Sequence, residues 1–169
     1  LRHIQPSFFP GDQDQDQEID FKLQLAEMVK MRDEGLIGAI ALSNISLEQL
    51  KYALPFGIVA VQNQYNLVDR KDEPVLEFCQ KNKIPYLPYF PLGGNRFLKK
   101  LFENPVVIEI AKEMKVTPSQ VGLAWLLQHS DNIMLIAGTS SLEHLDENNA
   151  VWKIKISDEN MKKLDNIAP

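Results

Sequence analysis

The 169-residue chain is 44% apolar and 24% charged, enough to bury a core and to exclude disorder as its overall description. A net charge of −5 and a pI near 5.2, with no block of Lys or Arg, argue against a nucleic-acid or anionic-membrane surface. No apolar run approaches the roughly 20 residues of a membrane span, and the lone Cys79 forms no internal disulfide and joins no zinc-type spacing, so a cytoplasmic setting with small-molecule or protein partners is expected.

The opening LRHIQPS carries no Met, basic leader or signal-type apolar stretch and reads as a cut through something longer. A loop rich in Pro, Gly, Asp and Gln fills 5–17. Phe21, Leu25, Met28 and Val29 then recur at helical spacing, with Gly35 as the stop. The apolar run 36–44 predicts a strand, and 46–54 a helix whose Ser46 and Gln49 form a capping box. The alternation repeats: strand 57–66 before helix 73–82, strand 84–90 before helix 104–114, and strand 133–140 before helix 141–151. An extra helix at 117–130 has Thr117 as N-cap and Pro118 at its first position, and a last one begins at Ser157. Single-domain organisation over 1–169, with no internal linker, is expected.

Strands apolar throughout fit a parallel sheet covered by helices. Such a sheet is either open and doubly wound or an arc of a (β/α)₈ barrel. A complete barrel needs about 250 residues, so this length supports only its larger half. A free half barrel exposes two strand edges and one side of its core.

In either architecture ligands bind beyond the C-terminal ends of the strands. Those ends offer Ser43 and Asn44; Gln62 with Asn63 and Gln64; Tyr89 leading to Gly93 and Gly94; and Gly138, Thr139, Ser140 and Ser141. Amides that bond a carboxamide, a ring that stacks and turns whose backbone amides cradle phosphate suit a nucleotide. Each has a plainer reading: Ser43 and Asn44 as a turn, Tyr89 as core, 138–141 as a C-cap and N-cap. Gln62 is harder to set aside, because a buried amide needs partners. Neither GxGxxG nor GxxxxGK[ST] is present, so a Rossmann fingerprint or P-loop does not hold the phosphates.

The segments GLIGAIALSN, VQNQYNLVDR, YFPLGG, TPSQVGLAWLLQHS and IAGTSSLEHLDEN, in this order and spacing, resemble the C-terminal half of an aldo/keto reductase from about residue 20 to 167. The resemblance implies a parallel (β/α)₈ TIM barrel, present here as four to five βα units plus extra helices. It implies reduction of aldehydes and ketones by hydride transfer from NADP(H), with NAD(H) as the alternative. Ser43, Asn44 and Gln62 would hold the nicotinamide carboxamide and Tyr89 would stack under the ring. Pro91, Leu92 and Gly93 would turn against the pyrophosphate. Gly138, Thr139 and Ser140 would meet the adenosine ribose and its 2′-phosphate, with Glu147 and Asn148 near the adenine. His144 stands where many members carry Arg, Gly138 where they carry Lys, and Phe90 where they carry Ser; Gly38 and Ala41 replace Arg and Gly. Of the catalytic Asp, Tyr, Lys and His only the His has a counterpart, His3, or Arg2 if the register shifts by one. The N-terminal half of the barrel would be required for completion, and the isolated chain is expected to have little or no activity. A regulatory module resembling the potassium-channel β subunits is the alternative.

Overall fold

The computed structural model describes residues 20–167, apart from the side chains of Asn95 and Arg96. His3 and Arg2 lie outside the described residues. The elements run α1 (Phe21–Asp33), β1 (Ile40–Ser43), α2 (Leu47–Ala53), β2 (Ile58–Gln62), α3 (Glu73–Lys81), α4 (Gly94–Phe102), α5 (Pro105–Met114), α6 (Pro118–His129), α7 (Leu142–Ala150) and α8 (Asp158–Asp165), with short 3₁₀ turns at Leu54–Phe56 and Val151–Lys153.

Local chemistry sets most of these boundaries. Ser46 and Gln49 reciprocate hydrogen bonds as a capping box at α2, and Thr117 and Gln120 do the same at α6, where Pro118 occupies the first turn. Ser157 caps α8 by accepting from the Asn160 amide, and α1 stops before Gly35, whose φ of 76° is left-handed. One helix has no counterpart in the sequence reading: α4 starts directly at Gly94, and Gly93 caps it without a side-chain bond. Two glycines in a row read as a turn, and here they are the turn and the helix start together.

β1 and β2 pair in parallel, with Ser43 opposite Gln62. The expected third and fourth strands are shorter than their apolar runs. They persist as parallel bridges of Tyr86 with Val61, Tyr89 with Gln64, and Ile133 with Tyr86. Backbone bonds join the rows: Val61 donates to Pro85, Leu87 to Val61, Tyr86 to Asn132 and Met134 to Tyr86. Pro85 and Pro88 donate nothing to a ladder, which limits how far the third segment pairs.

The two faces of this sheet differ. Ile40, Leu42, Val61 and Tyr86 are fully or almost fully buried under the helices, where Trp125, Leu123, Leu76 and Ile110 complete the core. The other face is open: Ala41 is exposed, Val59 is 48% exposed, Met134 56% and Ile136 39%. The expectation that helices cover the strands therefore holds for one face, and the second matches the uncovered interior of a partial barrel.

A polar cluster joins the carboxyl end of the chain to the helical side. The Tyr65 hydroxyl donates to Glu73, His129 Nε2 lies 2.8 Å from Glu73 Oε1, and Trp125 Nε1 donates to Asp165 at 2.8 Å. Arg70 donates to the carbonyls of Asp165 and Ile167. Burial alone would raise the Glu73 carboxyl, but hydrogen bonds from His129 and Tyr65 and the charges of His129 and Arg70 outweigh it and hold the group below the ordinary glutamate range.

Candidate functional site

The site begins with the loop that leaves β1. Asn44 adopts a left-handed φ of 55°, and its N–H donates to the Gln62 carbonyl at 3.1 Å, which carries the strand pairing one residue past Ser43. Asn tolerates that conformation better than most residues, because its short polar side chain bonds locally. Here it bonds across the sheet: the Tyr89 hydroxyl donates to Asn44 Oδ1 at 2.6 Å. Tyr89 is fixed in turn by its own N–H, which donates to the Asn63 carbonyl at 3.0 Å. Ser43 and Gln62 stand opposite each other in register, half-buried, on the open face. The Gln62 side chain makes no hydrogen bond among the described residues. Four of the predicted residues, Ser43, Asn44, Gln62 and Tyr89, thus meet at one end of three adjacent parallel segments.

The turn after Tyr89 is tied to its surroundings at several points. Phe90 has a φ of 53°, its ring lies edge-on to Tyr89 at 5.3 Å, and its carbonyl accepts from the Gly93 amide and the Asn66 side chain. Pro91 is buried. Leu92 packs inward, since a Cβ on Gly122 would sit 3.2 Å from its Cδ2. Gly93 has a φ of 94°, and a Cβ there would fall 2.7 Å from Phe97 Cβ and 2.8 Å from its backbone carbon. Only glycine serves at that point. From Pro91 to Gly93 the side chains are therefore turned away from solvent, with Pro91 and Gly93 buried and Leu92 half-buried.

The last predicted group is built differently. Gly138, Thr139 and Ser140 are exposed and follow the segment that pairs with Tyr86 through Ile133, so they emerge at the same end of the sheet. Thr139 Oγ1 accepts from the Ser141 amide, and Ser141 caps α7 by accepting from the His144 amide at 3.4 Å. His144 is exposed, Asn148 is half-buried, and the Glu147 carbonyl accepts from Gln120 Nε2 at 3.1 Å.

Asn63, one of the strand-end amides but given no role of its own, and Asp72, which the sequence reading did not name, sit directly behind the first group. Asn63 is 2% exposed, and its amide bonds both the N–H and the carbonyl of Ile45 as well as Asp72. Burial raises the Asp72 carboxyl above the ordinary aspartate value, the Asn63 hydrogen bond pulls it partly back, and the charge of Asp69 adds to the rise. The available signal was an amide in an apolar strand, and it applied to Asn63 as much as to Gln62. Among the described residues no three His, Cys, Asp or Glu side chains are grouped to hold a metal, and no helix is long and apolar enough to cross a membrane.

Parallel strands flanked by helices fit part of an α/β barrel, and the polar side chains gathered at their carboxyl ends lie where such folds bind ligands. Comparison with known proteins narrows this. Residues 12–169 match the model of the aldo/keto reductase family. The chain is 39% identical over 159 residues to pyridoxine 4-dehydrogenase of Escherichia coli (strain K12), covering 94% of this chain and 54% of that protein. It is 31% identical over 155 residues to methylglyoxal reductase YeaE of the same organism, covering 88% and 54%. Among solved structures, it superposes with a TM-score of 0.78 on a thermostable aldo-keto reductase in complex with the inhibitor epalrestat, at 36% identity over 90% of this chain and 57% of that one. An aldo-keto reductase from Klebsiella pneumoniae in complex with NADPH gives 0.78 at 27% identity, over 90% and 56%. The chain belongs to the aldo/keto reductase family, and its fold is part of that family's (β/α)₈ barrel. It spans about half the length of the curated relatives it matches.

Proposed function

We propose that this chain is the cofactor-holding part of an NADP(H)-dependent oxidoreductase that interconverts a small aldehyde or ketone and its alcohol. The observation that carries this reading is the assembly of Ser43, Asn44, Gln62 and Tyr89 at one end of the sheet, with Tyr89 locked to Asn44 at 2.6 Å. The NADPH complex of the Klebsiella pneumoniae relative and the reductase and dehydrogenase activities in the relatives' names support it.

The residues present fit the cofactor. A hydroxyl and two amides supply the donors and acceptors that a carboxamide requires, and the uncommitted Gln62 amide stands among them on the open face. Tyr89 presents an aromatic face whose tilt is set by its bond to Asn44 and its contact with Phe90. The first amides of α4 have no side-chain cap and follow the Gly93 turn, so they would be the backbone donors to a pyrophosphate. Residues 138–140, with His144, Glu147 and Asn148 on α7, would take the adenosine end. When bound, the nicotinamide supplies a hydride to the carbonyl carbon. The role of Ser43, Asn44, Gln62 and Tyr89 is to fix which ring face is presented. Protonation of the developing alkoxide falls to groups in the N-terminal half of the barrel, with His3 as the one candidate in this chain.

Two measurements test the reading. Titration of the chain with NADPH, followed by quenching of its tryptophan fluorescence, is expected to saturate; absence of binding overturns the proposal. Turnover of 4-nitrobenzaldehyde with NADPH is expected to be negligible for the chain alone and to appear when an N-terminal half barrel completes it. Ordinary turnover by the 169 residues would overturn the division of labour between the halves.

A further inference from the structure

Asn44 is the least regular of the proposed nicotinamide-side residues, because it sits past the strand end in a left-handed conformation. Its position therefore has to come from tertiary bonds. In front, its N–H donates to Gln62, and its side chain accepts from Tyr89. Behind it, the backbone of the next residue is bonded on both sides by Asn63: Asn63 Oδ1 accepts from the Ile45 N–H at 3.1 Å, and Asn63 Nδ2 donates to the Ile45 carbonyl at 2.7 Å. The side-chain amide thus reproduces the two bonds that a neighbouring peptide unit would make in a sheet.

The remaining Nδ2 hydrogen of Asn63 donates to Asp72 Oδ2 at 2.7 Å, so both amide hydrogens are used and the side chain has no freedom to rotate away. Asp72 is the residue before α3 and makes no side-chain cap bond to that helix. Its carboxylate is directed to Asn63 instead. The same Asn63 also supplies the carbonyl that accepts from the Tyr89 N–H at 3.0 Å. One residue therefore fixes the backbone on both sides of the Asn44–Tyr89 bond.

We infer that Asn63, anchored by Asp72, is a positioning residue that holds Asn44 and Tyr89 in the geometry that receives the nicotinamide. This rests on the reading of Ser43, Asn44, Gln62 and Tyr89 as the nicotinamide end of the cofactor site. Asn63 touches no ligand itself and acts through the two residues that do.

The test compares two ligands on the 169-residue chain: NADPH, and 2′-phospho-ADP-ribose, which carries the adenosine and both bridging phosphates but no nicotinamide. Asn63→Asp keeps the shape and the bond from the Ile45 N–H, but it sets a carboxylate oxygen against the Ile45 carbonyl and the Asp72 carboxylate. Expected is a loss of about tenfold in NADPH affinity, with 2′-phospho-ADP-ribose unchanged within about twofold. Equal weakening of both ligands would mean general loosening of the fold and would overturn the inference, as would no change in either. If Asn63→Asp does not fold, Asp72→Asn replaces it: loss of the anchoring charge should weaken NADPH about threefold and spare the second ligand, and the same two contrary outcomes apply. The underlying reading fails separately and visibly if the unaltered chain binds the two ligands equally or binds neither; either result also removes the inference.

Discussion

The two ends of the proposed cofactor site are built on opposite plans. At the Asn44 end, main chain and side chain are cross-bonded through Gln62, Asn63, Tyr89 and Asp72, and the following turn is closed by a glycine that no other residue can replace. At the Gly138 end, the loop is exposed, its hydrogen bonds run between near neighbours in sequence, and a Cβ on Gly138 would meet nothing within 4 Å. The difference fits the tasks proposed for them. Presenting one face of a ring demands fixed geometry, whereas gripping a charged, solvated end tolerates adjustment.

The sharpest way to break this contrast is a matched pair of glycine substitutions. Gly93→Ala forces a side chain into a left-handed backbone and against Phe97, and should cost about 3 kcal/mol of stability, read as a large fall in melting temperature. Tyr89→Ala removes the ring and the bond to Asn44 and should weaken NADPH binding by about 2 kcal/mol, roughly thirtyfold, in a fluorescence titration. A loss of less than about threefold would remove Tyr89 from the stacking role.

The polar cluster away from the site gives a pH test of intermediate size. Because Glu73 is held below its ordinary value in the fold, its contribution is fully present above the glutamate range and is lost as pH falls through the lowered value. The stability difference between the unaltered chain and Glu73→Gln, measured by urea denaturation, should therefore be about 1 kcal/mol near neutral pH and should shrink as pH falls toward 3. A difference that grows on acidification would contradict the assignment. At the open end the effects are smaller. His144→Arg adds a fixed charge beside the region proposed for the 2′-phosphate, and should raise the preference for NADPH over NADH by about threefold. Gly138→Ala, the counterpart of Gly93→Ala, should stay within about 0.5 kcal/mol of unaltered stability. A large loss there would show that the two ends are less different than their bonding implies.

Much of the fold was legible because its signals are local. Ser46 with Gln49 and Thr117 with Gln120 are caps that act within three residues, and the alternation of apolar runs with amphipathic stretches marks parallel βα units. The start of α4 was hidden because Gly93 and Gly94 carry no helix signal; what permits the helix is the fit of Gly93 against Phe97. The apolar runs at 84–90 and 133–140 promised longer strands than form, because pairing depends on neighbours that periodicity does not describe.

The sequence by itself determined the βα order, the helix caps, the family and the short list of strand-end residues, because each depends on residue type at fixed spacing. Tertiary structure alone decided which of those residues meet. The Asn44–Tyr89 bond spans 45 positions, and the Asn63 bonds to Ile45 span 18, distances over which no local pattern reports. It also decided that one face of the sheet is packed and the other open, since burial is a property of what lies against a strand and not of the strand's own residues.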